Sequence, residues 1–495
     1  MSFSMAQSDL FPVFETTYAQ LPAVLHSAVA AYGASAPKLL KLNEPLAEVL
    51  GFDVEALDAE TAASIFSGNQ IAPGTQPLAM AYAGHQFGGF NPGLGDGRAL
   101  LLGEVKAKDG NRYDIQLKGS GQTPYSRQGD GRAALGPVLR EYVMSEAMAS
   151  LGVPTTRALA AVATGDPVLR EGVLPGAMVT RVAASHLRVG TFELAAFRGE
   201  RQTLDALVRY ALQRHDPAGL EADYPALALL EGVITRQAKL VAQWMGIGFI
   251  HGVMNTDNCT ISGETIDYGP CAFMDEYSSG KVFSSIDHQG RYAFANQPPI
   301  AHWNMAVLAQ ALLGLLGEDE QEAVSRAQGA VDTFPAVFQA AYREQMARKL
   351  GLLHATDQDD ALIKDLLHAM SEHKADFTTT FRTLCDANTD EPLRSLLGDA
   401  SADWHARWTK RLTDQGDDPA TARGAMMLTN PAIIPRNHRV EAMIAAALDG
   451  DFALFHALVD ALATPYATAP DAGEGALLAH PPAPEEVVHA TFCGT

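Results

Sequence analysis

The chain has 495 residues, a formal charge of −22 with its histidines neutral, and 47% hydrophobic against 19% charged residues. That is ample apolar material for a packed core, and it excludes a disordered or collagen-like polypeptide. So acidic a chain makes a poor coat for nucleic acid or anionic membrane, because phosphates are repelled at long range, although a local basic pocket stays open to it.

Residues 1–70 mix short helical patterns with turns and carry no cluster of reactive side chains. From 74 to 132 glycine becomes dense, running from Gly84 and Gly88-Gly89 to Gly129 and Gly131. Such density is expected where backbone turns tightly or approaches a ligand closely. Within it ALLLGEVK (99–106) and RYDIQLK (112–118) read as strands, joined by the hairpin chemistry of Asp109-Gly110-Asn111. Leu135, Leu139, Tyr142, Val143 and Ala147 then recur at helical spacing, with Gly152 as a stop. Segments 158–163 and 177–183 read as further strands. Beyond about 190 helical patterns dominate, over 202–215, 225–245, 302–316, 318–330, 335–350, 359–373 and 438–448, with one β-like island at 249–273. The Pro- and Ala-rich stretch 464–487 reads as an irregular strap. A β-rich part followed by a larger helical part is the coarse outline of a protein kinase, and many α+β proteins share it.

Cys259, Cys271, Cys385 and Cys493 are too few for a disulfide framework, which points to a reducing compartment. The first 37 residues lack Lys and Arg, and Asp9 and Glu15 interrupt them, unlike a secretory or transit peptide. The longest apolar stretch, 301–317, contains Asn304 and Gln310 and falls short of the ~18 residues a membrane span needs. The expected location is therefore cytoplasmic, with neither membrane nor nucleic acid as a partner. His85, His186, His251 and His288 do not form a zinc spacing.

The most informative segment is HGVMNTDN, His251 to Asn258, followed by Asp267-Tyr268-Gly269. A kinase catalytic loop has the same His-to-Asn spacing, and a metal-binding Asp of an Asp-Phe-Gly triplet follows it. The spacing brings an Asn carbonyl and an Asp carboxylate together on a hard cation that neutralises ATP phosphates. One departure matters: where a kinase keeps its catalytic base there is Val253, whose aliphatic side chain accepts no proton. The carboxylate nearby is Asp257. Upstream, Lys118 and Glu141 have a separation that suits the phosphate-contacting lysine and its helix glutamate, or else are a surface lysine and an exposed acid. Gly95-Asp96-Gly97-Arg98 and Gly129-Asp130-Gly131-Arg132 read as possible anion cradles, and Arg181 and Arg188 add cationic groups suited to polyphosphate.

With these residues on the page, the chain resembles the selenoprotein O family, kinase-like proteins that lack the usual catalytic Asp and act as protein adenylyltransferases. The resemblance rests on AYAGHQFGGFNPGLGDGRALLLGEV, DIQLKGSGQTPYSRQGDGRAALGPVLREY, MVTRVAASHLRVGTFE, IGFIHGVMNTDNCTISGETIDYGPCAFMD and NPAIIPRNHRVE, and extends over nearly the whole chain. It implies an α+β, protein-kinase-like two-lobed fold with a β-rich N-lobe at 76–190 and a helical C-lobe at 191–400. An N-terminal extension at 1–75 and a C-terminal extension and tail at 401–495 would flank them. It implies ATP bound in a flipped sense, so that AMP passes to Ser, Thr or Tyr hydroxyls of proteins and pyrophosphate leaves. Carried over by position, Gly95, Gly97, Arg98, Lys118, Asp130, Gly131, Arg181, Arg188 and Asp267 would hold the nucleotide. Asn258 and Asp267 would hold Mg²⁺, or Mn²⁺, with Asp257 as proton acceptor and Glu141 supporting Lys118. The family also suggests a redox pairing of Cys271 with Cys493, against which stand two simple thiols. Two further readings stay open on the residues alone: a phosphotransferase using Asp257 as a displaced base, and a nucleotide-binding module without catalysis.

Overall fold

The structure is a computed structural model that describes residues 10–399 and 401–492. Its largest element is an antiparallel sheet whose strands all precede residue 184. Along the sheet the order is His26–Ala28, Leu78–Gln86, Ala99–Lys106, Arg112–Lys118, Val173–Ala183, Arg157–Leu169 and Lys38–Leu42. Gly89–Gly95 pairs with Leu78–Gln86 off this path, Phe14–Glu15 with Ala99–Lys106, and Ala133–Ala134 with Val173–Ala183. Strand sequences alternate in the expected way: one sheet face sends Leu102, Ile115, Leu117, Val162, Met178 and Val182 into a core with Phe52 and Phe66.

The opposite face is crossed by the helix Leu135–Ser150, which buries Leu139, Tyr142, Val143 and Met148 in the larger core. That core continues through the helices that follow residue 189, centred on Pro225–Gly246 with its buried Leu229, Val233, Ile234 and Val241. The helices Arg201–His215, Gln297–Leu312, Glu320–Val331, Phe334–Lys349, Asp359–His373 and Asn437–Leu448 form close to where periodicity places them. The β-like island resolves into two short paired strands, Phe249–Ile250 and Ala272–Phe273. They hold the ends of the segment carrying Asp257 and Asp267. The expected strap at 464–487 contains a helix, Glu474–Ala479. No helix among the described residues is long and apolar enough to cross a membrane.

One core residue carries a charge problem. Lys349 ends the helix Phe334–Lys349 and is only 1% exposed, with Nζ 4.2 Å from the centre of the Phe381 ring. Burial pushes its ammonium down to about 7, an effect the neighbouring Cys385 only partly offsets. The unfolded chain binds this proton up to the ordinary value of 10.5, so stability should rise as pH climbs from about 7 toward that value. Lys349→Met removes the dependence. Urea unfolding should show it stabilising the fold by several kcal/mol near about pH 6 and much less near about pH 10; equal gains at both would refute the assignment.

Candidate active site

Strand register decides where the cations go. Ile115 and Leu117 point into the apolar face, so Asp114, Gln116 and Lys118 take the other. In the neighbouring strand Met178 and Val182 share that apolar face and Arg181 turns away from it. Arg181 stands opposite Gln116 and Val179 opposite Lys118, which makes Arg181 and Lys118 diagonal neighbours on one face. The helix Leu135–Ser150 delivers Glu141 between them. Its carboxylate accepts from Lys118 Nζ at 2.6 Å and from Arg181 Nη2 at 2.6 Å. The lysine and glutamate are therefore a buried ion pair.

Asp267 meets the same cations from the helical side. Its Oδ1 accepts from Lys118 Nζ at 2.8 Å and Arg181 Nη2 at 2.6 Å, and its Oδ2 from Arg188 Nη1 at 2.8 Å. Burial opposes its ionisation, yet Lys118, Arg181 and Arg188 together hold the carboxyl well below the usual range. Glu141 behaves alike, with burial overridden by Arg181 and Lys118. Asp267 also has φ +63°, a left-handed conformation uncommon for a non-glycine residue. Arg188 is further held by Asp257 O at 2.6 Å and lies 4.7 Å above the Tyr82 ring.

Asp257 is the contrasting carboxylate. It is 9% exposed; Oδ2 accepts from Gln86 Nε2 at 3.2 Å, while Oδ1 is buried and has no hydrogen-bond partner among the described residues. Burial pushes it up to about 6, against the pull of Arg188. Asn258 donates its amide nitrogen to Val253 O at 3.0 Å, which leaves the amide oxygen as the end able to meet a cation. His251 is structural: its Nε2 bonds Ile266 O at 2.8 Å, and burial lowers its pKa. Val253 is buried and aliphatic, as its sequence position requires.

Lys118, Glu141, Arg181, Arg188, Asp257, Asn258 and Asp267 open onto a cleft of about 790 Å³ that is also lined by Gly95, Gly97, Arg98, Asp130 and Gly131. The glycines there have structural work. A Cβ on Gly95 would sit 2.5 Å from the Tyr125 ring, one on Gly97 2.9 Å from Tyr125 O, and one on Gly131 within 2.0 Å of Gly121 O. Arg98 has no ion-pair partner among the described residues, whereas Asp130 is bonded by Arg170 at 3.0 and 3.1 Å, which lowers its pKa. Cys271 is buried, and Cys493 lies outside the described residues. The tail reaches its vicinity: Thr491 Oγ1 donates to Pro270 O at 2.6 Å.

Sequence reasoning missed the element that touches Asp257. The strands Leu78–Gln86 and Gly89–Gly95 form a hairpin whose two-residue loop, Phe87-Gly88, has φ of +51° and +84°. A turn with both central φ positive usually announces itself by Asn-Gly or Asp-Gly, and Phe-Gly hides it. The hairpin docks on the reactive loop through His85 N to Thr256 Oγ1 at 2.7 Å, Gln86 to Asp257, and Phe87 N to Asn255 Oδ1 at 3.1 Å. Arg140, also unforeseen, donates its Nε to Gly269 O at 3.0 Å and another N–H to Cys271 O.

The family model described as protein adenylyltransferase SelO matches residues 10–463. The chain belongs to the SelO family. Among curated proteins it is 55% identical to "Protein nucleotidyltransferase YdiU" of Rhodopseudomonas palustris (strain BisB5) over 98% of this chain and 99% of that one. It is 54% identical to the protein of the same name from Bradyrhizobium diazoefficiens, again over 98% and 99%, and 54% identical to that of Methylorubrum populi over the same shares. This SelO-family chain is thus a nucleotidyltransferase, of a family whose reaction is AMP transfer to protein.

Gly84 is where the hairpin comes closest to Asp257: a Cβ there would lie 2.9 Å from Oδ1 and 3.2 Å from the Asp257 Cβ. Gly84→Ala should therefore fold, bind nucleotide nearly normally and lose transfer by about 10²-fold, the scale on which displacing an active-site group by an ångström or so acts. Unchanged turnover, with unfolding midpoints also unchanged, would show that this close approach does not position Asp257.

Proposed function

We propose that the chain moves AMP from ATP to serine, threonine and tyrosine hydroxyls of proteins, with ATP bound in the flipped sense. The observation that carries this reading is the convergence of Lys118, Arg181 and Arg188 on one half-buried carboxylate. Kinase chemistry needs a single strand lysine at that depth. Two added guanidiniums supply the forked donors of a polyphosphate clamp, which suits β- and γ-phosphates that enter first and leave together as pyrophosphate. Arg98, with the Gly95–Gly97 and Asp130–Gly131 turns, would wall the nucleotide. A two-lobed kinase-like arrangement belongs to the same reading, with 76–190 carrying the nucleotide loops and 191–400 the Asp257, Asn258 and Asp267 segment, between extensions 1–75 and 401–495.

Asp257 then has a defined task. The acceptor hydroxyl oxygen bonds the α-phosphorus, the bond to the α,β-bridging oxygen breaks, and pyrophosphate leaves with that electron pair. The hydroxyl proton passes to the unpartnered Oδ1 of Asp257. Asn258 and Asp267 would hold Mg²⁺, or Mn²⁺, and their hard oxygen donors fit such an ion. Among the described residues no three His, Cys, Asp or Glu side chains converge as a metal cage, which suits a cation completed by phosphate oxygens and water. When bound, it neutralises phosphate charge. Lys118, Arg181 and Arg188, now spent on Asp267, would turn to the phosphates.

Incubation with α-labelled and then γ-labelled ATP tests the reading. Protein should take up label from the α-position only; label from the γ-position would mean phosphotransfer, and label from neither a binding module. Asp257→Asn should keep nucleotide binding and lose ~10²–10⁴-fold in transfer, whereas Asp267→Ala should lose metal-dependent binding and transfer together.

A redox pairing of Cys271 with Cys493 completes the proposal. Thr491 supports it by binding beside Cys271: it pairs with Ser284 and its hydroxyl meets Pro270 O. In oxidised protein, non-reducing peptide mapping should recover the two cysteines in one fragment; alkylation of both would end this part of the reading.

A further inference from the structure

Beside Asp257 the surface carries exposed or half-buried aromatic rings, backed by the buried Tyr292, that the transfer chemistry does not use. Phe197 is 57% exposed and its ring lies 5.5 Å from that of Phe90, itself 41% exposed. Phe90 lies 5.1 Å from His85, His85 5.3 Å from Trp303, and the Arg291 guanidinium 5.0 Å above Trp303. Arg291 also lies against the Tyr292 ring, and Tyr292 is 5.1 Å from Phe87. The series is thus continuous from ring to ring. Its scaffold is the same hairpin, fixed to residues 255–257, that contributes Gln86 to Asp257.

Arg291 is the charged member. Asp287, four residues before it, is committed to backbone, accepting from Arg291 N at 2.9 Å and Tyr292 N at 2.8 Å. Its guanidinium has no carboxylate partner among the described residues. In a chain with net charge −22 a cation left without an acid, stacked on an indole, is an open half of an ion pair. Exposed rings ending at such a cation have the make-up of a recognition surface, in which aromatic and arginine side chains carry most of the binding energy.

We propose that this strip seats the acceptor protein. The occupant is a segment with an aromatic or branched aliphatic side chain on Phe90 and Phe197, an acidic side chain on Arg291, and its hydroxyl delivered to Asp257. Two features favour that occupant: the strip is continuous with the proton-accepting carboxylate, and the charge of Arg291 calls for an acid. The inference rests on the AMP-transfer reading and adds the sequence context of the acceptor to it.

The test uses the full chain, α-labelled ATP and synthetic peptides with one central Ser, Thr or Tyr, flanked by Phe and Asp or by Ser and Lys. The Phe/Asp peptides should show a KM lower by about tenfold, the scale of one good interface anchor. The double variant F90S/F197S should lose the preference for Phe through KM, with kcat and ATP affinity kept. Arg291→Glu should invert the preference from Asp to Lys. Peptides labelled without regard to flanks, variants with the wild-type KM, or label confined to the enzyme itself would overturn the docking strip. Absence of α-label from peptides and enzyme alike would bring down the transferase reading, and the strip with it.

Discussion

The Asp267 carboxylate, half-shielded from water, is held ionised by the cations that surround it, and the cleft is arranged around that cluster. Removing each ion from water costs several kcal/mol, returned only when the partners are close and every oxygen is met. Here Lys118 and Arg181 meet one oxygen and Arg188 the other. The dependence runs both ways, since without Asp267 and Glu141 three cations would stand together with little to hold them. Arg188 also stands 3.8 Å from Asp96, so the cluster itself is balanced, and the cleft's excess of positive charge comes from the further arginines that line it, Arg98, Arg127 and Arg132 among them. Fields of this kind fall off over roughly 10 Å at ordinary salt, so a strongly acidic protein can still receive a polyanion there.

The rest of the fold fixes the position of that carboxylate. Glu141 and Arg140 are adjacent on one helix and work in different directions, Glu141 toward the sheet cations and Arg140 toward the carbonyls of Gly269 and Cys271. The helix is thereby tied to both sides of the Asp267 turn, and its ion pairs offset the cost of the left-handed backbone there. Farther along, Arg436 is completely buried and joins Asp275 to Asp376, while Asn437 donates to Phe273 O at 2.8 Å. NPAIIPRNHRVE, for which the sequence offered a family likeness but no chemistry, is the anchor of the segment that follows Asp267.

What was legible beforehand had local causes. Ala99–Lys106 is a continuous apolar run ended by polar residues, Arg112–Lys118 alternates, and seven long helices have the 3.6-residue period that packing demands. Lys118 and Glu141 were readable as one of two alternatives because no helix comes between the strand that ends at Lys118 and the helix Leu135–Ser150. The hairpin Leu78–Gly95 was hidden because dense glycine imitates a phosphate loop, whereas Gly95 and Gly97 in fact make room for Tyr125. The short helices Phe377–Thr383 and Pro419–Met427 escaped because each is only two turns long. Their caps were visible: Asp376 accepts from Thr379 N, and Asp418, followed by Pro419, from Thr421 N. The convergence of Arg181 and Arg188 on Asp267 depends on register and on contacts 86 and 79 residues apart, which no local pattern carries.

The placement of Asp257 shows how strand and loop share one task. Val253 leaves no acid or base at the kinase position, and His251 is occupied with the loop backbone, so Asp257 is the carboxylate this loop presents, and its position is set from outside the loop. The hairpin does this with three hydrogen bonds, to Asn255, Thr256 and Asp257, and with the missing side chain at Gly84. Each such bond is worth about 1 kcal/mol net. Together they hold the loop in the closed arrangement, yet they are weak enough to part without unfolding the sheet. The ion cluster beneath, tied to both sheet and helix, is far costlier to open.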